Sequence, residues 1–568
     1  MKNSKKNILI CILVVLLLPL ASFLPENGLT DGSFTGKSNG RNGIVKVKVT
    51  IKDAQIKEVI ILENSESAYT NNVFEQLIKQ ITKSNSPKVD AVSGATASSN
   101  AIMEAVKDAV CKSGISLNAK KNAASVTLPE NTSTDIVILG SGGAGLSAAI
   151  EATQAGAKVI VVEKNSYIGG NTNYANGMNA AGNQKGRNYS PELFYEETMK
   201  GGHYLNDPEL VKVLAYQSAG AVNWIDSLQN DASTVPGTIL FNKAETPIGI
   251  YLVRIFEAEI KKHNLDIRLN TKAVEILSTV NAVNGIRVET EDGQLYTIHA
   301  KAVIIASGGF GANPIMVAYY NPKLKGFATT NQPGATGDAF GMVEKLNVSL
   351  VDMNQIQTHP TVLLTKHETI TEGVRGAGAI LINRSGKRFV NETENRDSVS
   401  EAILRQRGKT VFLLFDSKLL DKVNALRKNK EEGVLTEAST LRELANKTRI
   451  SAAELEKSVS IYNAYVRAQK DPQFGRKKLS LEISQSPFYA VEVEPAIHYT
   501  MGGIKINKAT EVINKSGKIV KGPFAAGEVT GGVHGANRLG GNAITAIIVF
   551  GRIAGKKSAE FIKTQNFE

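Results

Sequence analysis

Two short stretches carry residues whose types and spacing suit chemistry. The first is Gly140-x-Gly142-x-x-Gly145, which follows the apolar run Asp135 to Leu139 and precedes a run of small residues. Glycines at these places permit a tight turn and close backbone approach to a pyrophosphate, and the free N–H groups of the next helix attract its charge. A second apolar run, "KVIVVEK", reaches Glu163, where an acid can take ribose hydroxyls. Strand, glycine loop, helix, strand and acid in this order read as a dinucleotide site. The second stretch is "SGATASS", Ser93 to Ser99, which is small, hydroxyl-rich and of no use as core. Taken alone it reads as an N-cap series that opens a helix at Asn100. The only cysteines, Cys11 and Cys111, cannot build a disulfide framework, a zinc site or an iron–sulfur cluster, and no C-x-x-C-H is present to attach a c-type haem. No metal site is expected.

The elements that must position these residues occupy a chain of 568 residues, enough for about three domains. Hydrophobic content of 42% and charged content of 21% are ordinary for globular material. The net charge is +12 and the pI about 9.3, yet Lys and Arg are scattered and aromatics make up only 6%. That pattern excludes a nucleic-acid partner and fits attraction of small anions or an anionic surface. Residues 1–30 start basic and continue with an apolar run from Ile8 to Leu18, a signal peptide or a membrane anchor. Residues 31–115 read as a small α+β unit. "DGSFTGKSNGRNG" is a glycine-rich loop, "IVKVKVTI" and "IKEVIIL" are strands, and "NVFEQLIKQITK" and "SSNAIMEAVKDAVCK" are helices. Residues 116–133 read as linker. The dinucleotide domain spans 134–353, is interrupted by a mixed α+β capping domain over 354–481, and resumes over 482–568. A Rossmann-like domain with an inserted cap places the default site in the cleft between them.

Four segments, "IGGNTNYANGMNAAG", "TNQPGATGDA", "TEGVRGAGAILINRSGKRFVNE" and "AAGEVTGGVHGANRLGGNA", together resemble the soluble fumarate reductase family, which includes flavocytochrome-type fumarate reductases and urocanate reductase. The resemblance runs from about residue 133 to the C-terminus. It implies non-covalent FAD rather than NAD, held by Gly140, Gly142, Ala144, Gly145, Glu163, Asn171, Thr172, Gly177, Asp338, Glu528, Ala543 and Ile544. Residues 31–115 are similar to a small FMN-binding domain in which Asp-x-x-Ser-Gly-Ala-Thr marks attachment of FMN through a phosphoester. Here Asp90, Ser93, Gly94, Ala95 and Thr96 match, so the resemblance implies covalent FMN on Thr96, added by a flavin transferase. Two flavins in one exported chain form a short wire from a membrane or extracellular electron donor to the substrate.

Reduction of a dicarboxylate alkene needs its carboxylates clamped, a hydride at one carbon and a proton at the other. An arginine fork binds both oxygens of a carboxylate, and Arg538 in "HGANRLGG" is the candidate, with Gly540 and Gly541 beside it and His498 assisting. His359 and Thr371 match the family's partners for the second carboxylate. The resemblance assigns the proton donor to Arg396 and its relay to Glu372 and Arg375, three residues apart and on one face if that segment is helical. Arginine is a poor acid in water, so it serves only where the receiving carbon becomes strongly basic and a relay recharges it. The expected activity is extracytoplasmic reduction of fumarate to succinate. A reductase of another enoate (urocanate, methacrylate or acrylate) and an electron-transfer flavoprotein without an organic substrate stay open.

Overall fold

The structure is a computed structural model that describes residues 31–40, 43–64, 70–89, 96–114, 117, 131–184, 187–228, 247–279 and 282–564. The chain divides into two compact units. In the first, strand Ile44–Lys52 alternates strictly, and Val45, Val47, Val49 and Ile51 are fully buried. It pairs on one side with Gln55–Asn64 and on the other with Gly32–Asn39. The glycine-rich segment expected as loop is thus an edge strand. Its Gly36 lets helix Thr96–Ser113 lie directly on the sheet, because a Cβ there would stand 2.0 Å from the Ala105 carbonyl oxygen.

The first strand of the second unit's main sheet is Asn131–Leu139, so residues 131–133, expected as linker, are already sheet. Five parallel strands run in the order Ile519–Ala525, Leu295–Ile305, Asn131–Leu139, Val159–Val162 and Asp266–Arg268. The Val- and Ile-rich stretches Ile136–Leu139, Val159–Val162 and Ala302–Ile305 in the middle of this sheet are buried on both faces, as a parallel sheet covered by helices requires. Two of the covering helices, Gly143–Gln154 and Asn542–Thr564, come into backbone contact. A Cβ on Gly551 or Gly555 would lie 2.5 or 2.3 Å from the carbonyl oxygens of Ala144 and Ala148. This close packing brings the start of the long C-terminal helix to the dinucleotide loop.

The cap is a second sheet in the order Ile356–Leu363, Phe488–Thr500, Val411–Asp416 and Ile380–Ile382, with Thr436–Ala438 also pairing with Phe488–Thr500. Alternation in Val411–Asp416 sends Val411, Leu413 and Phe415 to one helical layer and Phe412 and Leu414 to the other. The cap therefore does not end at 481. Strand Phe488–Thr500, expected in the resumed dinucleotide domain, is central to the cap's sheet, because the chain returns to it after the helix Ala452–Ala468. Among the described residues no helix is long and apolar enough to cross a membrane. The signal or anchor expected at 1–30 lies outside the described residues.

Candidate active site

The dinucleotide cradle is assembled from several separate stretches of the chain. Gly140 takes φ +100°, and a Cβ on Gly145 would sit 2.0 Å from the Gly140 carbonyl oxygen, so both positions need glycine. A Cβ on Gly142 would meet only the Gly169 carbonyl oxygen, at 3.9 Å, an ordinary contact. Thr172 accepts from the Gly143 amide at 3.0 Å, and Ala144 follows in the first turn of that helix. Glu163 accepts from the amide and hydroxyl of Ser141, both at 2.9 Å, which ties the end of its strand to the loop. Asn171 donates to Asn331 at 2.6 Å and accepts from the Gln332 amide at 2.9 Å. Asp338 pairs with Lys164 at 2.9 Å. Glu528 accepts from the Thr500 amide at 3.0 Å, and burial pushes its carboxyl above the usual range. Ala543 and Ile544 stand in the first turn of the helix Asn542–Thr564. Gly541, at φ +84°, packs against Met178 and Asn179, the residues next to Gly177.

These residues fit a flavin dinucleotide. Asn165 Oδ1, Ser166 Oγ and Ser307 Oγ are buried without a hydrogen-bond partner. Asn165 and Ser166 follow Glu163, and Ser307 follows the strand that ends at Ile305, so the orphaned atoms belong to the two strand ends beside the glycine loop. Such atoms persist where a ligand satisfies them. Sequence reasoning did not name these three, nor Ser141, Asn331 and Gln332. Only their position just after apolar strands hinted at them.

The second cluster lies where the cap meets the flavin domain. Glu372 and Arg375 do fall on a helix, Glu372–Ala377, with Thr371 at its N-cap and the Thr371 side chain making no cap bond. Arg396 opens the helix Arg396–Leu404, donates through Nε to Glu372 and through Nη1 to Gln357 Oε1 at 2.9 Å. Gln357 in turn donates to Asn537 Oδ1 at 2.6 Å and to the Arg538 carbonyl oxygen at 2.7 Å, so one buried amide ties the cap arginine to the loop bearing Arg538. Gly540 keeps this face open, since a Cβ there would stand 3.2 Å from Glu372 Oε1. Gln357 and Asn537 were not singled out from the sequence.

His359 and His498 face each other with ring centroids 5.2 Å apart. His498 is the extra residue of a bulge, because Gln357 pairs with Tyr499 and Thr358 with Ile497, and such a bulge re-aims a side chain. Its Nδ1 is tied to Thr330 Oγ1 at 2.7 Å. His359 Nδ1 accepts from the Thr361 amide at 3.3 Å, which leaves the ring proton on Nε2, 3.7 Å from Glu372 Oε2. Burial, reinforced by Arg396, drops His359 to about 4 and His498 well below its usual range, so both rings are neutral at pH 7. Glu372 is 39% exposed. Desolvation opposes its ionisation, but Arg396 and His359 hold it well below the carboxylate range.

Arg538 is buried, and among the described residues no carboxylate lies within ion-pair distance of it. Its guanidinium stacks 4.6 Å over the Tyr499 ring, its Nη1 donates to the Leu539 carbonyl oxygen at 3.0 Å, and its Nε has no partner. Burial and then Arg396 lower it to about 10. A desolvated cation with unused donors is a site for an anion. Of the residues expected in the site, Arg396, Glu372, Arg375, His359, His498 and Arg538 are thus brought together, with Thr371 beside Glu372. Thr96 is the first residue of its helix, but its side chain and the residues Asp90–Ala95 lie outside the described residues.

Comparison with known proteins agrees with this geometry. Residues 135–544 match the family described as FAD binding domain, and residues 40–111 match the FMN-binding domain. A fumarate reductase (cytochrome) of Shewanella frigidimarina is 44% identical over 458 residues, covering 78% of this chain and 80% of that protein. A urocanate reductase of Eggerthella lenta is 35% identical, covering 93% of this chain and 92% of its own length. The solved open conformation of a flavocytochrome c3 fumarate reductase superposes with a TM-score of 0.65 at 40% identity, over 76% of this chain and 79% of that one. The chain belongs to the fumarate reductase flavoproteins, oxidoreductases acting on CH–CH groups, and carries a separate FMN-binding domain ahead of its FAD-binding domain.

Proposed function

We propose that the chain is an extracytoplasmic fumarate reductase that produces succinate. The observation that carries the reading is Arg538, a buried guanidinium with free donors and no acid partner among the described residues, on the loop that Gln357 links to Arg396. Arg538 binds one carboxylate of the substrate through its planar fork. His498 assists with Nε2, the nitrogen not tied to Thr330. The second carboxylate is received by the Thr371 hydroxyl and His359. The cradle residues would hold FAD, which would supply the hydride. Arg396 gives a proton to the other alkene carbon; Glu372, a carboxylate at rest, accepts a proton from Arg375 and passes it to Arg396, and solvent finally restores the proton to the relay. Fumarate thus gains one hydride and one proton and becomes succinate. Gly541 lets the chain turn tightly beside the substrate. Thr96 would carry FMN, attached by a flavin transferase, and that group would be the entry point for electrons from a membrane or extracellular donor. The basic start and apolar run of residues 1–30 support export.

The test is a substrate panel driven by a reduced viologen dye. Fumarate should give the highest kcat/KM. Preference for urocanate, methacrylate or acrylate would move the reading to another enoate, and failure of every enoate to reoxidise the flavin would leave an electron carrier.

A further inference from the structure

Behind the relay lies a set of buried charges for which the reaction has no direct use. Arg388, Glu392, Asp471 and Arg476 have side chains at most 2% exposed. Glu392 is saturated. Its Oε1 accepts from Arg388 Nε at 2.9 Å and the Leu381 amide at 3.3 Å, and its Oε2 from Arg388 Nη2 at 2.9 Å and Arg476 Nη1 at 3.0 Å. Asp471 accepts from the same Nη2 of Arg388 at 3.0 Å. Arg476 holds three carbonyl oxygens, those of Lys478 at 3.0 Å, Ala379 at 3.1 Å and Arg375 at 2.6 Å.

Arg375 is the neighbour this leaves without an ion-paired acid among the described residues. It is 1% exposed, donates through Nη1 to the Glu392 carbonyl oxygen at 2.6 Å, and has no partner for Nε and Nη2. The charged or titratable groups facing it are Glu372 on its own helix, Arg396, His359, Glu392 and Arg476. We propose that Arg476, by occupying Glu392 Oε2 and gripping the Arg375 carbonyl, is a positioning residue that denies Arg375 a carboxylate of its own and keeps its guanidinium turned to the relay. The inference rests on the reading of Arg375 and Glu372 as that relay. In keeping with it, burial, only partly offset by Glu372, lowers Arg375 to about 10, whereas Arg388, with Glu392 and Asp471 both on it, is pushed up. An arginine free of a private carboxylate passes its proton on more readily than one that is paired.

The test uses the full flavinylated protein and three variants, Arg375→Met, Arg476→Met and their combination. Arg476→Met frees Glu392 Oε2 for Arg375. It should lower kcat about tenfold or more, within the range that proton delivery contributes. The KM for fumarate and the dithionite reduction of FAD should stay within about twofold, and the solvent deuterium isotope effect on kcat should rise. The combined variant should be no slower than Arg375→Met, since Arg476 acts through Arg375. Additive losses, or a change confined to KM, would overturn the proposal. Full kcat in Arg375→Met would instead remove the relay reading on which it stands. If Arg476→Met fails to retain FAD, Arg476→Lys decides. One ammonium cannot hold Glu392 and all three carbonyls, so partial loss with the same isotope signature is expected, and wild-type behaviour would refute the role.

Discussion

Arg538→Met separates a binding charge from a structural one. The native side chain is 4% exposed and has no acid partner among the described residues. Burial lowers it from the ordinary arginine range to about 10, and at about 1.4 kcal/mol per tenfold change in acidity that is a cost to the folded protein of about 3 kcal/mol. The sign follows from linkage. A cation whose folded value is depressed destabilises the fold at every pH below about 10, and the penalty is relieved as pH rises through that value. At pH 7 the penalty is fully present, and methionine, which fills similar space over Tyr499, removes it. The substrate-free variant should therefore melt no lower than the native protein and on the order of a few degrees higher. The substrate should suffer the opposite fate. Loss of a desolvated charge-assisted clamp costs about 2–5 kcal/mol, so the Kd for fumarate should rise by about 30-fold or more. Flavin-fluorescence melting with and without succinate, together with titration of the oxidised enzyme, reads both effects. A variant that melts several degrees lower and still binds fumarate would refute the assignment, because Arg538 would then be held by structure and not kept for an anion.

Three further outcomes follow from the site and the N-terminal unit. Thr96→Ala should abolish flavin that survives denaturation, seen as in-gel fluorescence, while FAD stays bound; turnover with the natural donor should collapse and turnover with a small dye should persist. Arg396→Ala should leave FAD reduction and fumarate binding intact but lower kcat by about 10²–10⁴-fold, because a proton delivered only in the transition state shows in kcat; near-native turnover would remove the proton-donor role. Tyr499→Leu should raise KM several-fold and Tyr499→Phe should not, since the ring face and not the hydroxyl supports Arg538 at 4.6 Å; equal effects would point to the hydroxyl instead.

The parts legible in the sequence are those whose logic is local. Gly140, Gly142, Gly145 and Glu163 announce themselves because a loop, a helix start and a strand end must follow one another at fixed short distances. The alternation of Val45, Val47, Val49 and Ile51 likewise needs no partner to be read. Glycine content misled at Gly32–Asn39, where Gly36 serves helix packing and not a turn. The charged residues of the site had no local signature at all. A lone Arg396 or Glu372 is indistinguishable from a surface ion until distant segments are brought together, and only the resemblance singled them out. The largest misreading has one cause with two effects. Strand Phe488–Thr500 was assigned to the flavin domain, whereas its register with Ile356–Leu363 and Val411–Asp416 places it in the cap. That register also creates the bulge at His498 and sets Tyr499 opposite Gln357. A strand's pairing partners are a property of two segments, so the platform under Arg538 and the amide that links it to Arg396 were hidden for the same reason as the domain boundary. Both follow once the partner of that one strand is known.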